Sequence, residues 1–238
     1  MSPPPESSLE AQQQRGFWLW GDRLEDIEVR FVGAGPPCER EDLPVVLGEV
    51  GCASVAWAKQ VHGAEVLAAR GGFCGDGDAL WSRQRGLAVS VVTADCVPVV
   101  LAGGGVVAAV HAGWRGIAAD IVGATLAKLG IEPSRLAAWI GPAIGPCCYE
   151  VSDEVAAQVE QAAAGPAPAA RVSLPGPNGR PHLDLVAAVE AQLRRRGMSR
   201  VRRAVACTRC DAGRLASYRR QGKGGGRNVT LAWLASEL

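Results

Sequence analysis

Histidine is scarce in this chain: His62, His111 and His182 are the only three among 238 residues. A centre that needs many imidazoles is therefore beyond a single copy of it. Charge of one sign is also lacking. A net charge of +1 gives no global reason to expect nucleic acid or an anionic membrane as a partner. No apolar run is long enough to span a bilayer, because the most apolar stretch, Leu87 to Val110, is broken by Asp95, Pro98 and Gly103 to Gly105. Met1 to Gln14 is rich in Pro, Ser, Glu and Gln and lacks the apolar centre of a signal peptide. The eight cysteines are accordingly expected in a reducing compartment, the cytoplasm, without a disulfide framework.

What is present suits a folded enzyme-sized domain. Hydrophobic residues make up 48% and charged residues 21%, enough for a sizeable core. Residues 1–15 read as a disordered tail and 16–238 as one domain, expected to be monomeric. Phe17 to Trp20, Glu28 to Val32 and Val55 to Val61 read as strands, and Gly33 to Pro44 and Gly71 to Asp78 as loops. Leu87 to Thr93 and Val106 to Val110 are continuous β-branched runs, the signature of central strands buried on both faces. The spacing of apolar residues predicts helices over Ile117 to Leu129, Ser152 to Ala163 and Leu183 to Arg196. Leu136 to Ile140, Arg203 to Cys207 and Val229 to Trp233 read as further strands, and Ala164 to Pro181 as a loop. Strands and helices in this irregular order indicate an α+β fold, mixed sheets flanked by helices.

Chemistry-bearing residues stand at the ends of these runs. His62 lies in Gln60-Val61-His62-Gly63, Cys96 in Thr93-Ala94-Asp95-Cys96, and His111 in His111-Ala112-Gly113-Trp114-Arg115-Gly116. Two imidazoles and a thiolate are the ligands of an open tetrahedral metal site, with one position left for water or substrate. The gaps of 34 and 15 residues are unlike the short pairs of zinc fingers and require folding to converge. This donor set favours zinc, with copper also able to bind. A second reading makes Cys96 a thiol nucleophile and His111 its base, with Asp95 either orienting that base or capping a turn. It leaves His62 without a role.

Cations concentrate late in the chain. Ser217 to Arg227 combines Arg219, Arg220, Lys223 and Arg227 with a glycine-rich turn, the ingredients of an oxyanion site, and Arg115 lies four residues after His111. This is not a P-loop, because Gly-x-x-x-x-Gly-Lys-Ser/Thr is absent. Cys207-x-x-Cys210 lacks a second pair at zinc-ribbon spacing and reads as packed thiols. The adjacent Cys147 and Cys148 are not expected to share one ion, because neighbouring side chains diverge.

Taken together, Gln-Val-His-Gly at 60–63, Thr-Ala-Asp-Cys-Val-Pro-Val at 93–99, His-Ala-Gly-Trp-Arg-Gly at 111–116 and Gly-Pro-Ala-Ile-Gly-Pro-Cys-Cys-Tyr-Glu-Val at 141–151 closely resemble the laccase-domain family. Asp78-Ala79-Leu80, His182-Leu183-Asp184-Leu185 and Cys207-x-x-Cys210-Asp211 fit the same pattern. Members were called multicopper polyphenol oxidases and are now described as purine nucleoside phosphorylases. The resemblance implies a zinc held by His62, Cys96 and His111. It also implies phosphorolysis of adenosine, inosine, guanosine and methylthioadenosine, with adenosine deamination beside it. On this reading the partners are purine nucleosides and inorganic phosphate. Asp95, Cys96, His111 and Arg220 would be catalytic, Arg115, Arg220 and Arg227 would bind phosphate, and Glu150 would join Asp95 as a candidate proton carrier. Two departures stand out: Gln221 replaces the aspartate that follows the family's late arginine, and the helix before the first ligand is shortened between Arg40 and Gly51. Three histidines cannot ligate the four coppers of a multicopper oxidase, so at most one copper, with weak oxidase chemistry, fits this chain.

Overall fold

The computed structural model describes residues 8–14, 17–33, 54–164 and 171–236. Strands dominate the first half: β1 (Ser8–Leu9), β2 (Ala11–Gln14), β3 (Phe17–Leu24), β4 (Ile27–Gly33), β5 (Ser54–Lys59) and β6 (Val66–Ala68). They are followed by β7 (Gly72–Asp76), β8 (Ala79–Ser82), β9 (Leu87–Thr93), β10 (Val97–Gly103) and β11 (Val106–Ala112). The second half alternates: α1 (Trp114–Ala118), α2 (Ile121–Leu129), β12 (Ala137–Ile140), α3 (Asp153–Ala163), β13 (Ser173–Pro175), β14 (Pro181–Leu183), α4 (Leu185–Arg195), β15 (Arg200–Ala204), α5 (Tyr218–Gln221) and β16 (Asn228–Leu234). No helix among the described residues is long and apolar enough to cross a membrane.

Two seven-stranded mixed sheets result. One has the order β1-β15-β12-β10-β11-β8-β6 and the other β2-β3-β4-β16-β9-β5-β7, with β13–β14 as a separate hairpin. Successive side chains of a strand point to opposite faces, and here both faces are apolar. From β10, Val100 and Ala102 join Val29, Val89 and Trp139 in the core between the sheets. Val97, Val99 and Leu101 face the other way, onto Ile117, Ile121, Val189 and Leu193 of the helical layer. This two-sided burial is why the run from Leu87 to Val110 lacks alternation. The α+β expectation holds, as helices covering one of two stacked sheets.

The register brings several chain ends to one edge of the sandwich. β5 runs parallel to both β7 and β9, so all three leave their sheet on the same side. Each then crosses to the other sheet, as β6, β8 and β10 respectively. The three crossovers carry His62, Asp78 and Asp95-Cys96. β11 ends on the same side, with Ala112 opposite Val97.

Several local expectations give way. Residues 8–14, read as part of a disordered tail, form β1 and β2, which pair with β15 and β3; Leu9 and Ala11 pack on the inter-sheet core, enough to order a polar segment. Gly72–Asp76, read as loop, is an edge strand on β5. The run from Leu87 to Val110 holds three strands rather than two. The expected helix at 117–129 is broken at Asp120, whose φ of 60° ends one helix while its carboxylate accepts from Gly123 N at 3.3 Å to begin the next. The loop expected at 164–181 contains the β13–β14 hairpin, and the strand expected at 203–207 lies at 200–204. The loop at 34–44, the shortened helix at 40–51 and the centre of the 164–181 stretch fall outside the described residues.

Close approach explains one glycine of the family-like strings. A Cβ on Gly141 would lie 2.3 Å from Phe31 Cδ1. Gly141→Ala is therefore expected to destabilise the protein by about 1–3 kcal/mol. Urea unfolding should show a lower midpoint at unchanged slope, and less of a loss in a Phe31→Ala background.

Candidate active site

Asp78 organises the site. Its carboxylate is fully buried and accepts from the amides of Val61 (3.2 Å), His62 (2.9 Å) and Gly63 (2.7 Å). The same group meets His111 Nδ1 at 2.7 Å. These bonds hold His62 at φ 60°, a left-handed conformation that non-glycine residues seldom adopt. Gln60 extends the ladder beyond β5, giving its amide to Val92 O at 2.7 Å and accepting Val92 N at 2.9 Å.

The expected triad converges. Donor atoms of His62, Cys96 and His111 lie within 4.8 Å of one another, and the two imidazoles meet edge to face with centroids 4.8 Å apart. Because Asp78 occupies His111 Nδ1, Nε2 is left for a metal, the carboxylate–histidine arrangement common around zinc. Gly113 keeps the chain clear of the donors: a Cβ there would stand 3.1 Å from both Cys96 Sγ and His62 Cδ2. Burial alone would raise the Cys96 thiol, but hydrogen bonds from His111 and His62 outweigh it and hold its pKa at about 7. Burial would lower His111, yet Asp78 and Cys96 prevail and raise it to about 9. The site thus favours thiolate, and a metal ion held here by His62, Cys96 and His111 would take the place of the proton that the imidazoles share with the thiol. Two imidazoles, one thiolate and a fixed tautomer fit such an ion.

The triad opens on a cavity of about 640 Å³ whose wall includes Thr93, Asp95, Trp114, Arg115, Tyr149, Tyr218, Arg219 and Arg227. Thr93 Oγ1 is buried there without a hydrogen-bond partner. Arg115 lies over Trp114 at 4.5 Å and Arg219 over Tyr149 at 5.1 Å. Burial, followed by the Cys96 thiolate, pushes the Tyr149 phenol up to about 12, so it remains a donor at neutral pH.

Other expected residues have different surroundings. Both Asp95 oxygens are engaged, one with Thr208 Oγ1 and one with Arg219 N, each at 2.6 Å, and its φ is 94°. It braces the cavity wall. Arg220 does not line the cavity, because its guanidinium is bound to the carbonyls of Thr208, Arg209 and Leu215 at 2.5–2.7 Å. The neighbouring Arg219 faces the cavity instead. Arg227 lines it while donating to Gly225 O and Gly226 O. The Glu150 carboxylate turns outside the cavity wall, 3.5 Å from Arg180 and 3.9 Å from His182; only its carbonyl meets Arg219, at 3.2 Å. Asp78 and Tyr149 carry no individual role in the sequence reading, and Arg219 enters it only as one cation of the 217–227 segment. Asp78 and Tyr149 stand within family-like strings, so the strings were the available signal.

Asp78→Asn leaves His111 Nδ1 and three amides facing a group with half the acceptor capacity. Metal affinity is expected to fall about 10–100-fold, read by competition with a chromogenic chelator on protein of unchanged circular dichroism. In metal-free protein, alkylation of Cys96 should increase as pH rises through about 7, lower than for an ordinary thiol. Peptide mapping after iodoacetamide treatment reads it.

In sequence and in fold the chain is similar to known proteins. The family model described as multi-copper polyphenol oxidoreductase laccase matches residues 40–235. A purine nucleoside phosphorylase of Xylella fastidiosa is 38% identical over 214 residues, covering 85% of this chain and 81% of its own. A Streptomyces coelicolor protein of the same name is 43% identical over 192 residues, 76% of each chain. Among solved structures, a Neisseria meningitidis protein aligns with a TM-score of 0.81 at 26% identity over 93% of this chain and all of its own. YlmD of Geobacillus stearothermophilus, at 24% identity, shares the fold with a TM-score of 0.84 over 98% of this chain and all of its own. With the family model matched over residues 40–235 and the fold shared with solved relatives, the chain belongs to the multi-copper polyphenol oxidoreductase laccase family.

Proposed function

We propose that this chain is a zinc-dependent purine nucleoside phosphorylase acting on adenosine, inosine, guanosine and methylthioadenosine, with adenosine deamination as a second activity. One observation carries the reading: a single cavity joins the His62–Cys96–His111 triad to Arg115, Arg219 and Arg227 and to the rings of Trp114, Tyr149 and Tyr218. Arginine forks suit a phosphate, and aromatic faces suit a purine. The names of the relatives support the same reading.

Phosphorolysis forms a bond from a phosphate oxygen to C1′ and breaks the bond from C1′ to the base nitrogen, which leaves with the electron pair and takes a proton. Arg115 and Arg219 would hold the phosphate and offset its charge as the sugar becomes oxocarbenium-like. Tyr149, neutral at working pH, would hydrogen-bond the substrate from the wall. Zinc, held by His62 and His111 and by the Cys96 thiolate, would supply a Lewis acid with an open position and the water activation that deamination at C6 requires.

A second reading has a specific observation behind it. Cys96, His111 and Asp78 stand in the order of a nucleophile, a base and an orienting carboxylate. It makes the chain a thiol hydrolase and gives His62 no task.

Incubating adenosine with the purified protein, with and without inorganic phosphate, separates the readings. The expected products are adenine and ribose 1-phosphate, formed only with phosphate, plus some inosine. His111→Ala should abolish them. Turnover that ignores phosphate and persists in metal-free protein until Cys96 is alkylated would establish the hydrolase instead. Arg219→Ala should raise KM for phosphate about tenfold to a hundredfold, the value of a charge-assisted hydrogen bond. Arg220→Ala should instead act on the thermal midpoint.

A further inference from the structure

A second cluster of ligand-type side chains lies outside the cavity. Cys147 and Cys148 come from the segment after β12, and Cys207 and Cys210 from the turn after β15. Cys207 and Cys210, expected as packed thiols, and Cys147 and Cys148, not expected to share one ion, come together here. Cys148 Sγ is 3.4 Å and Cys147 Sγ 3.7 Å from Cys210 Sγ, and all four sulfurs lie within 4.8 Å of one another. Adjacent cysteines can converge here because 146–148 form a turn, with Cys148 N donating to Gly145 O at 3.0 Å.

The two segments are tied by more than the sulfurs. Ala143 bridges Cys207, and Thr208 N donates to Ala143 O at 3.0 Å. Gly145 N points at Cys207 Sγ at 3.2 Å. A Cβ on Gly145 would come within 3.3 Å of Cys147 Sγ, so the loop passes close to the sulfurs.

Three explanations compete. Core packing is a poor one, because Cys147 and Cys210 are exposed, whereas inert thiols are usually buried. A disulfide joins two sulfurs about 2 Å apart and leaves the other two unexplained. Zinc bound to four thiolates at about 2.3 Å places the sulfurs about 3.8 Å from each other, close to the spacing seen. We propose that Cys147, Cys148, Cys207 and Cys210 form a closed four-thiolate zinc site, distinct from the triad and structural in role.

Electrostatics agree. Burial would raise Cys207, but amides of Gly145, Cys210 and Arg209 outweigh it and hold that thiol below its ordinary range. Burial and the neighbouring thiols push Cys147 up, a crowding of like groups that a divalent cation relieves. Binding exchanges thiol protons for the metal and needs no oxidant. The consequence reaches the cavity, since Thr208, inside the Cys-x-x-Cys turn, bonds Asp95. This zinc would brace the wall that carries Cys96 and Arg219.

Metal analysis of reduced protein tests the site independently of nucleoside turnover. Zinc-loaded chain carrying His62→Ala and His111→Ala should retain about one zinc, and adding Cys207→Ser or Cys148→Ser should remove it. Cobalt(II) in the same double variant should give the intense thiolate charge-transfer band and visible bands of tetrahedral four-sulfur coordination. In unaltered protein, zinc should shield all four cysteines from N-ethylmaleimide in peptide mapping, a readout that does not depend on any variant folding. Equal labelling with and without zinc, a cobalt spectrum of the aquo ion, or a disulfide within the cluster of freshly reduced protein would overturn the proposal.

Discussion

Both histidines of the triad depend on one buried carboxylate. An ionised group without exposure is strongly unfavourable unless it is paired and hydrogen-bonded. Asp78 meets that condition with three consecutive amides and an imidazole. Burial would raise its pKa, but His111 and the amides prevail and keep it low. The bargain is mutual. The 61–63 turn has no strand partner and places His62 in a strained φ, so it needs an internal anion to gather its donors. His111 needs an acceptor on Nδ1 to present Nε2 toward Cys96. One side chain therefore sets the position of one ligand and the tautomer of another.

The topology explains why such a group is available. Parallel β5, β7 and β9 deliver three crossovers to one edge of the sandwich, and a crossover between sheets cannot continue either ladder. Its backbone donors must find other acceptors. Asp78 serves the first crossover from the second, and Asp95, on the third, ties that crossover to the Thr208 hydroxyl and to Arg219 N. The edge of the fold and the wall of the cavity are thus the same structure. Strain at His62 and Asp95, each at positive φ, is local to this edge and is balanced by the sheets behind it.

The features legible in the sequence are those whose residue types are rare or whose neighbours are constrained. Two of three histidines and one of eight cysteines stood at the ends of apolar runs, and a candidate metal site followed. The central strands were readable because burial on both faces demands unbroken apolar runs. Gly72–Asp76 was misread because edge pairing to β5 overrides the turn tendency of its glycines. Arg219 and Arg220 are indistinguishable by type, yet consecutive residues on a helix point about 100° apart, and only the packing of α5 decides which one meets the cavity. The four-sulfur cluster joins segments sixty residues apart in two different turns, and spacing rules for single-segment motifs do not reach that far.

The substitution at Gln221 can be weighed on the same grounds. Gln221 Oε1 accepts Ser217 N at 2.9 Å, and the Ser217 hydroxyl accepts Arg220 N at 3.3 Å. A side chain that caps its own turn in this way does not enter the cavity wall. Its influence must pass through α5, whose position is set by Asp95 on Arg219 N and by Arg220 on the carbonyls of Thr208 and Arg209. Replacing an anion with a neutral amide at this point removes a charge next to Arg220 but keeps an acceptor for Ser217. The cavity-facing Arg219 is then held by the Asp95–Thr208 strut, and that strut reaches the turn bearing Cys207 and Cys210. In this chain the geometry of the cavity's cation is therefore governed more by the sulfur-bearing turn than by the residue that departs from the family pattern.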